Sequence, residues 1–221
     1  MITRVFIAAR RLDMTPEQCL DHWRGRHAAI GARLPRVRAY VQNHGLLDGG
    51  RFLLPYPGFD IMPELDWDDL AAMDAAIDSP AHERDSVDDE ANFIDTSRTG
   101  LAVTTRHVMV QGTPRPDAVK LINFMRRAPA VSEEAFHSAL LRPYSTAVAE
   151  SKPLRHELLI TIPDRPNRPP FSAEAIDLHW FASAHDAMAW TVSEAAGRAD
   201  WQLAGLRLGT ERFIARPHKI V

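Results

Sequence analysis

The sequence has few of the features that would assign a protein at once. Its 221 residues include one cysteine, Cys19. A single thiol excludes an internal disulfide and a zinc site made of several cysteines. The N-terminal Met-Ile-Thr-Arg opens no apolar run long enough for export or membrane insertion. We therefore expect a cytoplasmic protein without a membrane partner.

A strong charge of one sign is also absent. The formal net charge is −3, and the basic residues are scattered among acidic ones. Proteins that bind nucleic acid carry a basic patch or stripe, so nucleic acid is not an expected partner. With 45% hydrophobic and 25% charged residues, the chain has the composition of a globular protein with one sizeable core or two small ones.

Motifs for nucleotides, nucleophilic serine and metal are missing as well. The sequence contains no GxGxxG, GxxxxGK, GxSxG or HExxH. His22 and His27 are five positions apart, whereas two ligands on one helix face are four apart, and His44 belongs to a different predicted element. We therefore expect no cofactor and no metal site.

The hydrophobic pattern instead shows a repeated order of elements. Strands are predicted at 2–9, 37–44, 58–66 and 101–111, with helices at about 15–34 and 67–95. The same order recurs with strands at 118–126, 155–162, 175–182 and 209–216 and helices at 132–150 and 184–197. The Arg-Arg pairs at 10–11 and 126–127, and the helix starts TPEQ and SEEA, align the halves. We assign the first repeat to 1–112 and the second to 113–221.

Each repeat has the βαββαβ order of a ferredoxin-like unit. An antiparallel sheet with both helices on one face needs cover on its other face, and a second unit in the same chain supplies it. The predicted fold class is therefore α+β, with two ferredoxin-like βαββαβ repeats forming a pseudo-dimeric α+β barrel. A homodimer or a swapped assembly of two chains stays open at this point.

The first helix carries one ionisable residue in its apolar stripe. Thr15 is the predicted N-cap and Pro16 the first helical residue. Positions three or four apart then form the stripe that faces the sheet, and these are Leu20, Trp23, His27, Ile30 and Leu34. His27 is either a core histidine bonded to a backbone carbonyl or a functional group.

Several further segments carry a resemblance to a known family. Cys19, Trp23 and His27 stand at the positions of a helical F-x-x-x-W-x-x-x-H pattern, followed by Pro35 and by Gln-Asn-His at 42–44. GFDIMPELDW and DDEANFID match two later segments. The chain thus resembles the EthD family, whose members usually pair two chains to form the barrel. The resemblance implies a relationship to lactone isomerases, aromatic polyketide cyclases and small-molecule lyases.

The strand alternation shows which side chains can converge on His27. Tyr40, Gln42 and His44 share one face of the second strand, and Asn43 lies on the other. Asp60 and Glu64 share a face of the third strand. We predict His27, Tyr40 and His44 as catalytic residues, and Asn43, Asp60, Glu64 and Trp23 as substrate-binding residues. Each also has a structural alternative, such as a turn at Asn43-His44 or an ion pair of Glu64.

The two halves differ at these positions. Leu140 and Tyr144 replace Trp23 and His27, and our alignment sets Trp180 against Glu64. We therefore expect the working pocket in the first repeat. The proline-rich stretch 163–173 is expected to form an extended loop at the mouth of the second repeat.

A histidine, a hydrogen-bond donor and a carboxylate together suit proton transfer next to a carbonyl. We therefore expect a cofactor-independent lyase or isomerase that uses general acid–base catalysis on a small aromatic, phenolic or lactone-like catabolic substrate. The alternative is a non-catalytic small-molecule binding or accessory protein of an aromatic or ether degradation pathway.

Overall fold

The computed structural model describes residues 1–163, 165 and 173–221, and most of the predicted proline-rich loop lies outside them. The first repeat begins with β1 (Ile2–Arg10) and a helix made of α1 (Pro16–His22), a π-helical segment π1 (Trp23–His27) and α2 (Ala28–Gly31). It continues with β2 (Ala39–Gly45), the short hairpin β3 (Leu47–Asp48) and β4 (Arg51–Phe52), and β5 (Ile61–Trp67). It ends with α3 (Leu70–Ile77), π2 (Ala81–Ser86), α4 (Val87–Glu90) and β6 (Ile94–Val110).

The described residues of the second repeat follow the same order of main strands and helices. It contains β7 (Val119–Arg127), α5 (Glu133–Ala139), π3 (Leu140–Tyr144) and α6 (Ser145–Glu150). These are followed by β8 (Arg155–Thr161), β9 (Ala175–Phe181), α7 (Ala184–Thr191), α8 (Glu194–Trp201) and β10 (Arg207–Lys219). The predicted element order is thus confirmed in both repeats.

Each repeat builds an antiparallel sheet in which the first strand lies inside. In the first sheet the order is β6-β1-β5-β2, and in the second it is β10-β7-β9-β8. This is the order of a ferredoxin-like βαββαβ unit. The chain divides into two compact units, one mainly Met1–Thr105 with Pro217–Val221 and the other mainly Arg106–Thr161 with Ala173–Arg216.

Local sequence signals explain where the first helix starts. Thr15 accepts a hydrogen bond from the Gln18 backbone N–H, and the Gln18 side chain accepts from the Thr15 backbone, which completes a capping box ahead of Pro16. Such a cap contributes about 1 kcal/mol. None of the helices in the described ranges has the length and apolar character needed to cross a membrane.

Both repeats carry a π-helical segment at the same place in the first helix. These segments end at His27 and at Tyr144, and π3 contains Pro143. Proline lacks an N–H and cannot continue the α-helical hydrogen bonds, so a wider turn accommodates it. The two segments bring His27 and Tyr144 to corresponding, buried positions.

The structural correspondence of the repeats differs by one residue from the one read off the Arg-Arg pairs. The Arg10 backbone N–H donates to Asp60, and the Arg127 backbone N–H donates to Glu174. Each arginine side chain also donates to a carbonyl four residues later. Arg10 therefore corresponds to Arg127. A slip of one residue in a strand exchanges its two faces, which is why this difference matters.

The corrected register changes which residues match on the third strand. Glu64 lies opposite Val5, and Leu178 lies opposite Ile122, the residue that corresponds to Val5. Leu178 therefore occupies the Glu64 position, and the match to Trp180 is wrong.

On the second strand the corrected register matches Tyr40 with His156. Val41 pairs with Glu64 and Glu157 pairs with Leu178, so the preceding residues correspond. The second repeat thus has a tyrosine where the first has His27, and a histidine where the first has Tyr40. The second repeat therefore keeps a His/Tyr pair, with the two residues exchanged between helix and strand.

Candidate active site

A small enclosed cavity lies between the helices and the sheet of the first unit. Its volume is about 30 Å³, which is room for about one water molecule. Aromatic rings form much of its wall, from Phe6, Trp23, Tyr40 and Phe93. The polar side chains along it come from both helical segments of the unit and from two strands, and they are Arg4, His27, Tyr40, His82, Ser86 and Glu90.

The His27 ring is held by a carboxylate from α4. Its Nδ1 lies 3.1 Å from Asp89 Oδ2, and both residues are buried. His22 Nε2 lies 3.1 Å from the same carboxylate, and Arg26 Nε lies 2.8 Å from it. With Nδ1 bound to Asp89, Nε2 is the ring nitrogen of His27 that is available to a substrate. A hydrogen bond at one ring nitrogen fixes which tautomer the imidazole adopts.

The electrostatics keep Asp89 ionised and His27 neutral near pH 7. Burial raises the pKa of Asp89, but hydrogen bonds from His22 and His27 outweigh this and lower its pKa below the usual value. Burial lowers the pKa of His27, and the bond to Asp89 only partly opposes that effect. A neutral imidazole beside an aspartate is suited to accept a proton.

Tyr40 offers a phenol to the same cavity. Gln42 Nε2 donates to the Tyr40 oxygen at 2.8 Å and to the Trp23 carbonyl at 2.8 Å. Burial raises the pKa of Tyr40 to about 12, so the hydroxyl keeps its proton. Because its oxygen accepts from Gln42, the O–H of Tyr40 is free to donate to a substrate oxygen.

Close packing of the Tyr40 ring against α2 requires a glycine. A Cβ at Gly31 would lie 2.6 Å from Tyr40 Cε1, whereas a Cβ at Gly25 would meet nothing within 4 Å. We expect Gly31→Ala to lower the free energy of unfolding by about 1–3 kcal/mol through overpacking.

The matched control is Gly25→Ala in the same helix. Removing a helical glycine at an open position is expected to raise stability by about 0.5–1 kcal/mol. Urea denaturation of both variants measures the difference. Equal effects of the two substitutions would show that the Tyr40 ring is not held against α2.

Glu90 and His82 complete the polar wall of the cavity, and burial shifts the pKa of each side chain. Burial raises the pKa of Glu90 to about 7, with Arg4 opposing and Asp89 adding to this. Burial and the positive charge of Arg4 lower the pKa of His82 to about 4. The cavity therefore combines a neutral imidazole with a carboxyl group that is protonated below about pH 7. Such a combination is common in acid–base active sites.

Three of the seven predicted site residues line this cavity, namely Trp23, His27 and Tyr40. His44 has a separate position: its ring stacks on Trp23 at 4.7 Å between centroids and contacts His218 at 4.5 Å. Burial lowers the pKa of His44 to about 3, which makes it a weak base. It is linked to Tyr40 through Gln42, whose Oε1 lies 2.9 Å from His44 Nε2.

The other three predicted residues are bonded elsewhere. Asn43 Nδ2 donates to Glu64 at 2.8 Å, on the sheet face opposite Tyr40. Asp60 forms an ion pair with Arg10 at 2.7 Å and accepts from Tyr56 at 2.7 Å. The structure thus does not bring Asn43, Asp60 or Glu64 to His27, and their substrate-binding role stays a prediction.

The sequence reading missed the carboxylates that the structure supplies. Asp60 and Glu64 were the carboxylates predicted for the site, but Asp89 is the carboxylate bonded to His27, and Glu90 is the acidic residue that lines the cavity. Both belong to the DDEANFID segment, which carried part of the EthD resemblance. That segment was the available signal, but the charge-rich stretch leading into it resembles a solvated helix face.

Solved structures with the same arrangement of elements cover nearly all of the chain. An anthrone oxidase-like protein covers 99% of this chain and 93% of its own, with a TM-score of 0.68 and 10% identity. A candidate monooxygenase from Fusobacterium nucleatum covers 97% of this chain and 90% of its own, with a TM-score of 0.63 and 10% identity. Another candidate monooxygenase, from Lactobacillus acidophilus, covers 100% of this chain and 94% of its own, with a TM-score of 0.58 and 14% identity. These likenesses concern the fold. Among curated proteins, none matches the chain significantly.

The chain therefore has an α+β fold with two ferredoxin-like βαββαβ repeats, as predicted, and this fold is shared with the solved structures above. Residues 11–97 match the EthD domain. This matched segment makes up less than half of the chain, and it contains the cavity residues from Trp23 to Phe93. The resemblance inferred from the sequence motifs is confirmed.

Proposed function

We propose that this protein is an enzyme that moves protons on a small aromatic, phenolic or lactone-like substrate by general acid–base catalysis, without a cofactor, as a lyase or isomerase. The observation that carries the proposal is the His27–Asp89 pair, because it aims Nε2 of a neutral imidazole at a cavity shared with Tyr40 and Glu90. The working site lies in the first repeat.

The residues suggest an order of proton transfers. His27 Nε2 removes a proton from carbon next to a substrate carbonyl, and Asp89 stabilises the imidazolium that forms. The Tyr40 O–H donates a hydrogen bond to the oxygen on which negative charge develops. The protonated Glu90 carboxyl then gives its proton to another carbon in an isomerisation or to the leaving group in an elimination. His44 acts through Gln42 by holding the Tyr40 oxygen in place.

The wall of the cavity favours a flat apolar substrate. Phe6, Trp23, Tyr40 and Phe93 present ring faces and edges that suit aromatic stacking. A volume of about 30 Å³ does not admit a benzene ring, so binding requires the covering segment with His82, Ser86 and Glu90 to move outward. Lid segments of this kind move on microsecond to millisecond timescales.

Deuterium exchange tests the proposal even while the bond that is broken is unknown. A panel of phenols, aromatic ketones and unsaturated lactones is incubated with the protein in D₂O under anaerobic conditions and followed by NMR. An acid–base enzyme is expected to exchange carbon-bound protons of at least one compound, and His27→Gln is expected to stop this. Tight binding without exchange by wild type and His27→Gln alike would instead support the carrier alternative. Conversion of a compound in a parallel incubation with air, but not under anaerobic conditions, would overturn the proton-transfer proposal.

The pH profile provides a separate prediction. His27 must be neutral, so kcat/KM rises with pH through a pKa below 6.5. Glu90 must be protonated, so kcat/KM falls as the pH passes about 7. A narrow optimum between these two values is expected. In Glu90→Gln the alkaline limb should disappear, since an amide does not titrate there. An alkaline limb that persists in this variant would assign the acid role to another group.

A further inference from the structure

A second polar cluster lies in the second repeat, at the positions that match the cavity of the first. Its centre is Asp177 on β9. His156 Nε2 lies 2.7 Å from Oδ1, and His179 Nε2 lies 2.8 Å from Oδ2. The Tyr144 hydroxyl donates to Oδ2 at 2.6 Å, and Asn123 Nδ2 donates to Oδ2 at 2.8 Å. Four side chains from three strands and the first helix thus converge on one carboxylate.

This cluster is sealed from solvent. His156, Asp177 and His179 have no exposed surface, and Tyr144 and Asn123 have 1% and 2%. A buried carboxylate needs a positive charge or several donors nearby. In the described part of the chain, Nδ1 of each histidine and Oδ1 of Asn123 have no hydrogen-bond partner. The protonated network therefore leaves three buried polar atoms unsatisfied, which is unusual in a native core.

The geometry is close to that of a metal site. One ligand atom from each of His156, Asp177 and His179 lies within 4.8 Å of the others. Four-coordinate zinc binds imidazole nitrogen and carboxylate oxygen at about 2.0–2.2 Å, which sets neighbouring ligands about 3.3 Å apart. The observed separations of 2.7 and 2.8 Å require an expansion of about half an ångström. If the proton of each imidazole moves from Nε2 to Nδ1, the two Nε2 atoms can bind one cation instead of donating to Asp177, which achieves this expansion.

The Asn123 side chain can supply a fourth ligand, because its amide lies beside Asp177. A half-turn of the Asn123 amide places Oδ1, now unpartnered, where Nδ2 lies beside Asp177. Amide oxygen and nitrogen are interchangeable in such an assignment. The donor set would then be two imidazole nitrogens, a carboxylate and an amide oxygen. Imidazole with oxygen donors suits zinc and divalent iron rather than magnesium or calcium.

We propose that His156, Asp177 and His179, with Asn123, form a binding site for one divalent transition-metal ion, zinc in type, within the second repeat. The site stabilises that repeat and is separate from the proposed catalytic residues. The histidine Nδ1 atoms have no acceptor, and a missing outer partner typically weakens metal affinity by about 10–100-fold. We therefore expect binding that survives dialysis but yields to a strong chelator.

Because the site is buried, the metal is best supplied while the protein folds. Wild type, His156→Gln and His179→Gln are produced in zinc-supplemented medium, dialysed and analysed for metal, with His185→Gln as the matched control on an exposed residue. Wild type and His185→Gln are expected to hold about one zinc per chain, and the two cluster variants at least tenfold less. Cobalt in place of zinc should produce the visible absorption of a four-coordinate site.

Thermal unfolding provides a readout that does not depend on variants that fold poorly. A strong chelator should lower the Tm of the zinc-grown wild type and of His185→Gln, and zinc added during refolding should restore it. Wild type that contains well under one zinc per chain, shows no cobalt spectrum and keeps its Tm in chelator would overturn the proposal. Equal zinc content in all four proteins would do the same. Neither result depends on turnover, so the proposed catalytic function is tested separately.

Discussion

Replacing His27 by glutamine is expected to lower kcat by about a hundred- to ten-thousand-fold, the usual loss when a general base is removed. Glutamine fills similar space but cannot take up a proton. Because the Asp89 bond orients the ring from outside the cavity, Asp89→Asn should also reduce kcat, by leaving the imidazolium without its counter-charge. The measurement is turnover on a compound found by deuterium exchange, together with the Tm of each variant.

Two matched variants separate catalysis from packing. Tyr144→Phe alters the corresponding position of the second repeat and is expected to lower stability by about 1 kcal/mol while leaving turnover within a few-fold. His22→Gln breaks a contact to the same Asp89 carboxylate but does not line the cavity, so a loss below about tenfold is expected. Near-normal turnover of His27→Gln with only a lower Tm would make His27 a core histidine. Damage confined to Tyr144→Phe would place the working site in the second repeat.

Asp177→Ala is expected to be among the most destabilising single changes in the second repeat, at about 3–5 kcal/mol. The substitution removes the acceptor shared by four buried donors, from Asn123, Tyr144, His156 and His179. Each donor left without a partner in the interior costs about 1–3 kcal/mol, partly relieved by rearrangement. Although burial raises the pKa of Asp177, the adjacent histidines lower it far below the usual value, so the native state holds the carboxylate ionised.

An exposed aspartate in the same repeat provides the control. Asp117 pairs with Arg115 at the surface, and Asp117→Ala is expected to change stability by at most about 1 kcal/mol. Urea denaturation at neutral pH measures both variants. If Asp177→Ala unfolds at nearly the same urea concentration as wild type, the cluster relaxes without loss and our account of its energetics is wrong. The pKa of Asp177 is depressed in the folded protein. The stabilisation by its carboxylate is therefore present above about pH 4 and declines as the pH falls further.

The fold followed from the sequence because its signals are local and repeated. The Thr15 cap, the apolar stripe around Trp23 and the alternation along the strands recur in both halves, and each is set by neighbours within a few residues. Two copies of one βαββαβ order then leave few alternatives for the topology. The EthD motif likewise lies within one continuous segment, so it was recognisable without coordinates.

The sequence predicted the residues of the candidate site only where helical spacing and strand alternation place side chains between the helix and the sheet. Trp23, His27 and Tyr40 were placed together correctly because helical spacing and strand alternation both point to the same layer. The carboxylate partner was not, since Asp89 lies 62 residues from His27 in the chain and meets it only after α4 packs beside the first helix. No local pattern distinguishes Asp89 from its exposed neighbour Asp88.

The second cluster shows most clearly what the sequence determined and what the tertiary structure decided. The sequence determined the two repeats, their element order and the residue types on each strand. It did not determine that His156 meets Asp177, because that contact depends on the register between β8 and β9. A shift of one residue in an antiparallel pair exchanges buried and opposite faces. Register is set by packing over the whole sheet, and for that reason only the folded chain revealed which polar residues the second repeat keeps inside.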